Sequence, residues 1–152
     1  SQGSAREWGL GNFVELVRLL DENRYKIFIS GTQSERSLMQ PLFDEVGHRV
    51  TDITGTMNLD QFISFIHHAD GLVAGSTGPL HIAAALGKTA FGIYPPIEPM
   101  HPGRWAPLGA KAKAFVVNKT CSDCRKNAHQ CKCMYDVSPL VIAEALSVVN
   151  GQ

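Results

Sequence analysis

Apolar residues recur along this chain in two patterns, a helical spacing and short unbroken runs, and the two alternate. Phe13, Leu16, Val17 and Leu20 repeat at three and four positions, one face of a helix over residues 12–22, and Asn12 with Glu15 three positions later has the form of a capping box. Residues 25–30 are a short run, mostly aromatic or β-branched, that halts at Gly31, as a buried parallel strand entering a turn does. Ser34 is placed to cap a second helix carrying Leu38, Leu42 and Val46 and closing at Gly47, and Pro41 within it predicts a bend or a break. Residues 50–54 read as a weak strand. Asn58 then caps a helix that turns Leu59, Phe62, Ile63 and Ile66 inward.

The second half repeats the alternation. A small apolar strand at 71–75 leads through the polar turn 76–78 into a helix at 79–86, with Pro79 near its first position and Gly87 just past its end. Residues 89–94 supply another strand. Five prolines between 95 and 109 exclude long regular structure there, and 112–117 reads as a last strand. Beyond it Ser138 and Pro139 open a final helix to about residue 149, with Leu140, Ala143 and Leu146 facing inward. Strands separated by helices of about ten residues predict βαβ crossovers. The expected fold is therefore α/β, a Rossmann-like doubly wound parallel sheet in one domain over residues 1–152, with a cysteine-rich loop at 118–137 inside it.

Composition narrows the function. At 152 residues and 44% hydrophobic content the chain has enough apolar surface for one core. Fourteen basic residues balance fourteen acidic ones, so no field of one sign exists to hold nucleic acid or an anionic membrane nonspecifically. Any anion must be bound by local geometry. Residues 1–8 lack the pattern of a signal peptide, and no apolar run approaches the roughly 20 residues that span a bilayer, which predicts a soluble, cytoplasmic protein.

Ser76, Thr77 and Gly78 stand where a strand hands over to a helix, the place at which unpaired helix N–H groups and the helix dipole favour an anion. Gly78 lets a phosphate approach the backbone, Thr77 offers a hydroxyl, and Pro79 presets the first turn without wasting a donor. His81 follows a short step into the helix, within reach of a further hydrogen bond. A hydroxyl cap followed by a packed histidine explains the same four residues without a ligand, so the spacing alone leaves both readings open.

The longer run D-G-L-V-A-G-S-T-G-P-L-H-I-A-A-A-L-G-K, residues 70–88, resembles the signature of the bacterial heptosyltransferases, glycosyltransferase family nine, usually D-S/T-G-x-x-H-x-A-A-A. The similarity continues in Trp8 and the helix after it, in I-S-G-T at 29–32 followed by Glu35, and in Y-P-P at 94–96. That resemblance implies the C-terminal, donor-binding half of a two-domain GT-B fold. It implies that Thr77 and Gly78 hold a diphosphate, that His81 supports the turn, and that Glu35 falls near the ribose-binding acid. Arg6 stands near the family's usual Lys, where it would offset phosphate charge. Ser76 replaces the Asp of most members, which points to a donor sugar other than heptose on an ADP-type nucleotide. The resemblance further implies inversion at the anomeric carbon, no cofactor for transfer, and no catalytic residue in this domain, the base being expected in an N-terminal domain absent here together with the first strand. A sheet edge left open by that strand would be a surface for self-association.

Each of these residues also has a plainer reading. Glu35 can serve its own helix's first turn through the dipole, Arg6 can be a solvated terminal charge, and Trp8 is expected to be a packing anchor. In the proline segment Arg104 is the best candidate for a phosphate contact, beside Glu98 and His101, or it stacks on Trp105 to close the loop. Cys121, Cys124, Cys131 and Cys133 supply four soft ligands within thirteen residues, enough for a tetrahedral structural zinc, with His129 as a spare; two local disulfides or free thiols remain the alternatives.

The sequence therefore predicts the donor half of a lipopolysaccharide-type, cytoplasmic glycosyltransferase, peripheral at the inner face of the inner membrane. It would take a nucleotide-diphosphate sugar and pass it to a glycolipid or oligosaccharide acceptor held by the other domain, with no nucleic-acid partner. Two alternatives stay open: a metal-stapled α/β interaction module, and another GT-B-like sugar-nucleotide enzyme such as an epimerase.

Overall fold

Every segment with a regular apolar period forms an element in the computed structural model, which describes residues 8–75, 78–94, 111–116 and 137–149. In chain order these are α1 (Leu10–Leu19), β1 (Ile27–Ile29), α2 (Gln33–Arg36), α3 (Gln40–Val46), β2 (Val50–Asp52), α4 (Leu59–His68), β3 (Gly71–Gly75), α5 (Gly78–Ala85), β4 (Thr89–Tyr94), β5 (Ala112–Val116) and α6 (Pro139–Val149). Single 3-10 turns lie at Ser37–Met39 and Gly47–Arg49. The chain divides into two compact units, one from Gly9–Phe62 and Ser138–Gln152, the other from Ser1–Trp8 and Ile63–Val137, so the division falls inside α4.

In the first unit β1 and β2 pair in parallel, Ile27 opposite Val50 and Ile29 opposite Asp52. Val14 and Val17 of α1 and Leu42 and Val46 of α3 form the buried cluster, with Ile27, Ile29 and Val50 of the strands against it. Pro41 does break the second predicted helix. It sits in the first turn of α3, where a missing N–H costs nothing, and the residues before it close into the shorter α2 and a 3-10 turn.

In the second unit β3, β4 and β5 form a three-stranded parallel sheet in that order. Leu80, Ala83 and Ala84 of α5 are buried, as are Ala90, Phe91 and Ile93 of β4, and the rings of Phe91 and Phe115 meet edge to face at 5.2 Å. Trp8 is 1% exposed and its indole Nε1 donates to the Val137 carbonyl at 2.9 Å, the packing anchor its size predicts.

The structure corrects several positions. α1 begins at Leu10, ahead of Asn12, with Gly9 as its unassisted cap. Thr32, not Ser34, caps α2. Leu38, Leu59 and Leu140 are 57%, 65% and 51% exposed, whereas α6 turns Ile142 and Leu146 inward. Helix α6 is apolar on nearly every side, so its sequence carries no phase, and packing against α1 selects the buried face.

Candidate functional site

The sequence-predicted phosphate turn lies between β3 and α5. Parallel pairing sets Gly75 opposite Ile93 and Tyr94 opposite Val116, so the carboxyl ends of all three strands share one edge of the sheet. Helix α5 starts at that edge, directly after β3, with Gly78 as its first residue and Pro79 its second. Its first turn carries no acidic residue, so no side-chain carboxylate of that turn offsets the positive end of the helix dipole. Gly78 is exposed, and among the described residues a Cβ built on it meets nothing within 4 Å. His81, half-buried, lies one turn into α5. Beneath, Leu80 at 0% exposure fixes the helix on the sheet. The far end closes in a Schellman motif, with Gly87 at φ 75° and Lys88 N–H donating to the Ala83 carbonyl at 3.0 Å. Ser76 and Thr77 lie outside the described residues, as do Arg6, Arg104 and its neighbours in the proline segment, and Cys121, Cys124, Cys131 and Cys133. Among the described residues no group of three or more His, Cys, Asp or Glu is placed to hold a metal.

Glu35 belongs to the other unit, at the carboxyl end of β1 and β2. Thr32 and Glu35 form a reciprocal capping box. The Thr32 backbone N–H donates to Glu35 Oε1 at 2.9 Å, and the Glu35 N–H donates to Thr32 Oγ1 at 3.3 Å. The Thr32 backbone hydrogen bond chiefly holds the Glu35 carboxyl below its ordinary value, against the opposing effect of burial. Glu35 thus stands in the first turn of α2 as half of a capping box, and its lowered pKa keeps the carboxylate ionised at neutral pH.

Three residues that the sequence did not mark are joined here. Asp52 Oδ1 accepts from the Thr54 hydroxyl at 2.6 Å and the Thr54 N–H at 2.9 Å, while Asp52 Oδ2 accepts from Arg36 Nε at 2.6 Å. Those donors, Thr54 foremost, lower the Asp52 pKa. The turn is tight: Gly55 N–H donates to the Gly31 carbonyl at 2.9 Å, and Gly55 has φ 67°, with an added Cβ only 2.8 Å from Gln33 Cβ. The D-x-T spacing at 52–54 and the T-x-x-E spacing at 32–35 are the signals that find these contacts in a sequence.

Comparison with known proteins completes the site's setting. Residues 1–135 match the family model Glycosyltransferase family 9 (heptosyltransferase). A Haemophilus influenzae protein named as a glycosyltransferase is 31% identical over 110 residues, which cover 71% of this chain and 32% of that protein. Lipopolysaccharide heptosyltransferase 2 of Escherichia coli is 24% identical over 97% of this chain and 43% of its own length. The solved structure of Escherichia coli ADP-heptose heptosyltransferase II superimposes with a TM-score of 0.77 at 22% identity, over 97% of this chain and 43% of that one. An Escherichia coli heptosyltransferase determined with ADP does so with a TM-score of 0.75 at 17% identity, over 97% and 41%. These likenesses show the fold: Rossmann-like α/β with parallel strands, one half of a GT-B architecture. This chain spans under half the length of each of these relatives, and nothing in the comparisons favours an interaction module or an epimerase.

Proposed function

Because the chain belongs to glycosyltransferase family 9, the heptosyltransferase family, we propose that it is the donor-binding part of an inverting glycosyltransferase. The reaction moves a sugar from a nucleotide-diphosphate donor to a cell-surface glycan acceptor of the lipopolysaccharide type. The observation that carries this reading is the start of α5, where Gly78 is exposed and meets no other described residue at the carboxyl edge of a parallel sheet. Sugar transfer leaves a diphosphate whose growing charge must be stabilised, and fixed N–H donors at a helix start do this without a metal.

In this reading the amides at Thr77 and Gly78 and the hydroxyls of Ser76 and Thr77 receive the diphosphate. His81 holds the turn, Arg6 and Arg104 add positive charge, and Glu35 accepts from ribose hydroxyls. The base that deprotonates the acceptor is expected outside this segment, at the opposite face of the sugar. The ADP in one structural neighbour supports an ADP-type donor, and Ser76 in the usual place of Asp supports a sugar other than heptose. The four cysteines are assigned a structural zinc, apart from the transfer chemistry. No described helix is long and apolar enough to cross a membrane; in this reading the enzyme works in the cytoplasm, peripheral at the inner face of the inner membrane.

Titration of the chain with ADP, UDP and GDP, alongside Thr77→Val and Gly78→Val, tests the reading. ADP is expected to bind most tightly; Thr77→Val should weaken it by roughly tenfold, the size of one lost charge-assisted hydrogen bond, and Gly78→Val should weaken it by putting a branched side chain where the phosphate approaches the amide. Among the described residues a Cβ at Gly78 meets nothing within 4 Å, and a melting curve of Gly78→Val separates lost binding from a lost fold. Equal response of all three proteins rejects the turn as the site.

A further inference from the structure

Helix α2 is one turn long and has no buried residue, so apolar packing does not set the direction in which Glu35 points. Its capping box ties Glu35 to Thr32, in the same turn. One link from α2 back to the sheet runs through Arg36, whose Nε donates to Asp52 Oδ2 at 2.6 Å while its guanidinium lies 5.5 Å from the Phe43 ring centre. Asp52 is the last residue of β2, and its other oxygen takes both the hydroxyl and the N–H of Thr54, a residue 7% exposed. The chain next turns through Gly55, whose N–H binds the Gly31 carbonyl just before the Thr32 cap. A closed circuit results, from strand end to turn to cap to helix and back to the strand end.

From this circuit we infer that Asp52 and Arg36 are positioning residues for Glu35, holding its carboxylate where it can accept from the ribose hydroxyls of a nucleoside diphosphate. The inference rests on the proposed role of Glu35 and deepens it: affinity for the ribose depends on a salt bridge that never touches the ligand. Arg36 is the better residue to change. Its side chain is half exposed, so its removal leaves the core intact.

The test is a double-mutant cycle on ADP affinity, with pyrophosphate, which lacks the ribose, titrated in parallel. Arg36→Gln is expected to raise the ADP dissociation constant on the order of tenfold, within the range of coupled neighbours. Arg36→Lys should restore part of that loss, pyrophosphate binding should not change, and Arg36→Gln should have no further effect once Glu35 is Gln. Asp52→Asn is expected to follow Arg36→Gln. If Glu35→Gln itself leaves ADP affinity unchanged, the ribose role of Glu35 fails and this inference fails with it. If Glu35→Gln weakens ADP but Arg36→Gln does not, or weakens ADP and pyrophosphate alike, the positioning role alone is overturned.

Discussion

Asp52 carries more of the local order than its half-polar surroundings suggest, because one carboxylate takes three donors. Its pKa is depressed in the fold, and the sign of the consequence follows. The stabilisation is fully present above the ordinary unfolded value near 4, and is lost as pH falls through the lower folded value. Melting curves from pH 7 to 3 should therefore show Tm falling below about pH 4, with a shallower fall in Asp52→Asn. Identical acid limbs in the two proteins would remove Asp52 from the account. Glu35 is shifted in the same direction and adds to the same limb. At this scale the sequence was legible in part. The spacing around Gly78 and His81 marks a strand-to-helix turn, whereas Asp52 and Arg36, sixteen positions apart, meet only because parallel pairing brings the end of β2 beside the start of α2.

Capping chemistry settles where the elements stop. α4 begins with a reciprocal box, Gln61 N–H to Asn58 Oδ1 at 2.8 Å and Asn58 N–H to Gln61 Oε1 at 2.9 Å, as Asn58 led one to expect. The turn after α5 is closed by Gly87, whose positive φ disfavours any residue with a Cβ although no other described residue lies within 4 Å of that position. Gly87→Ala should accordingly lower unfolding free energy by about 1 kcal/mol through backbone strain. Urea denaturation measures it, and an unchanged midpoint would mean that the turn relaxes freely. The helix starts that the sequence pattern places at Asn12 and Ser34 lie instead at Gly9 and Thr32, for one shared reason. Short polar residues fit several neighbouring cap positions, and the choice among them depends on how the preceding segment enters the helix.

At the scale of the molecule, the chain spans 43% of the Escherichia coli heptosyltransferase 2 it matches. If the acceptor base lies outside this span, the isolated chain should bind ADP and yet transfer no sugar from an ADP-sugar above the buffer rate. Turnover by the chain alone, followed by release of ADP, would place the base within it. The sequence by itself determined the alternation of strands and helices, the break at Pro41, the family signature at 70–88, and the inward positions Leu42, Val46 and Ile66, because spacing and backbone chemistry are local properties. Only the tertiary structure decided which side of α6 is buried, which hydroxyl caps α2, and that Arg36 reaches Asp52. A helix apolar all round has no preferred face until a neighbour covers one, and a salt bridge between distant residues exists only once the sheet has set its register.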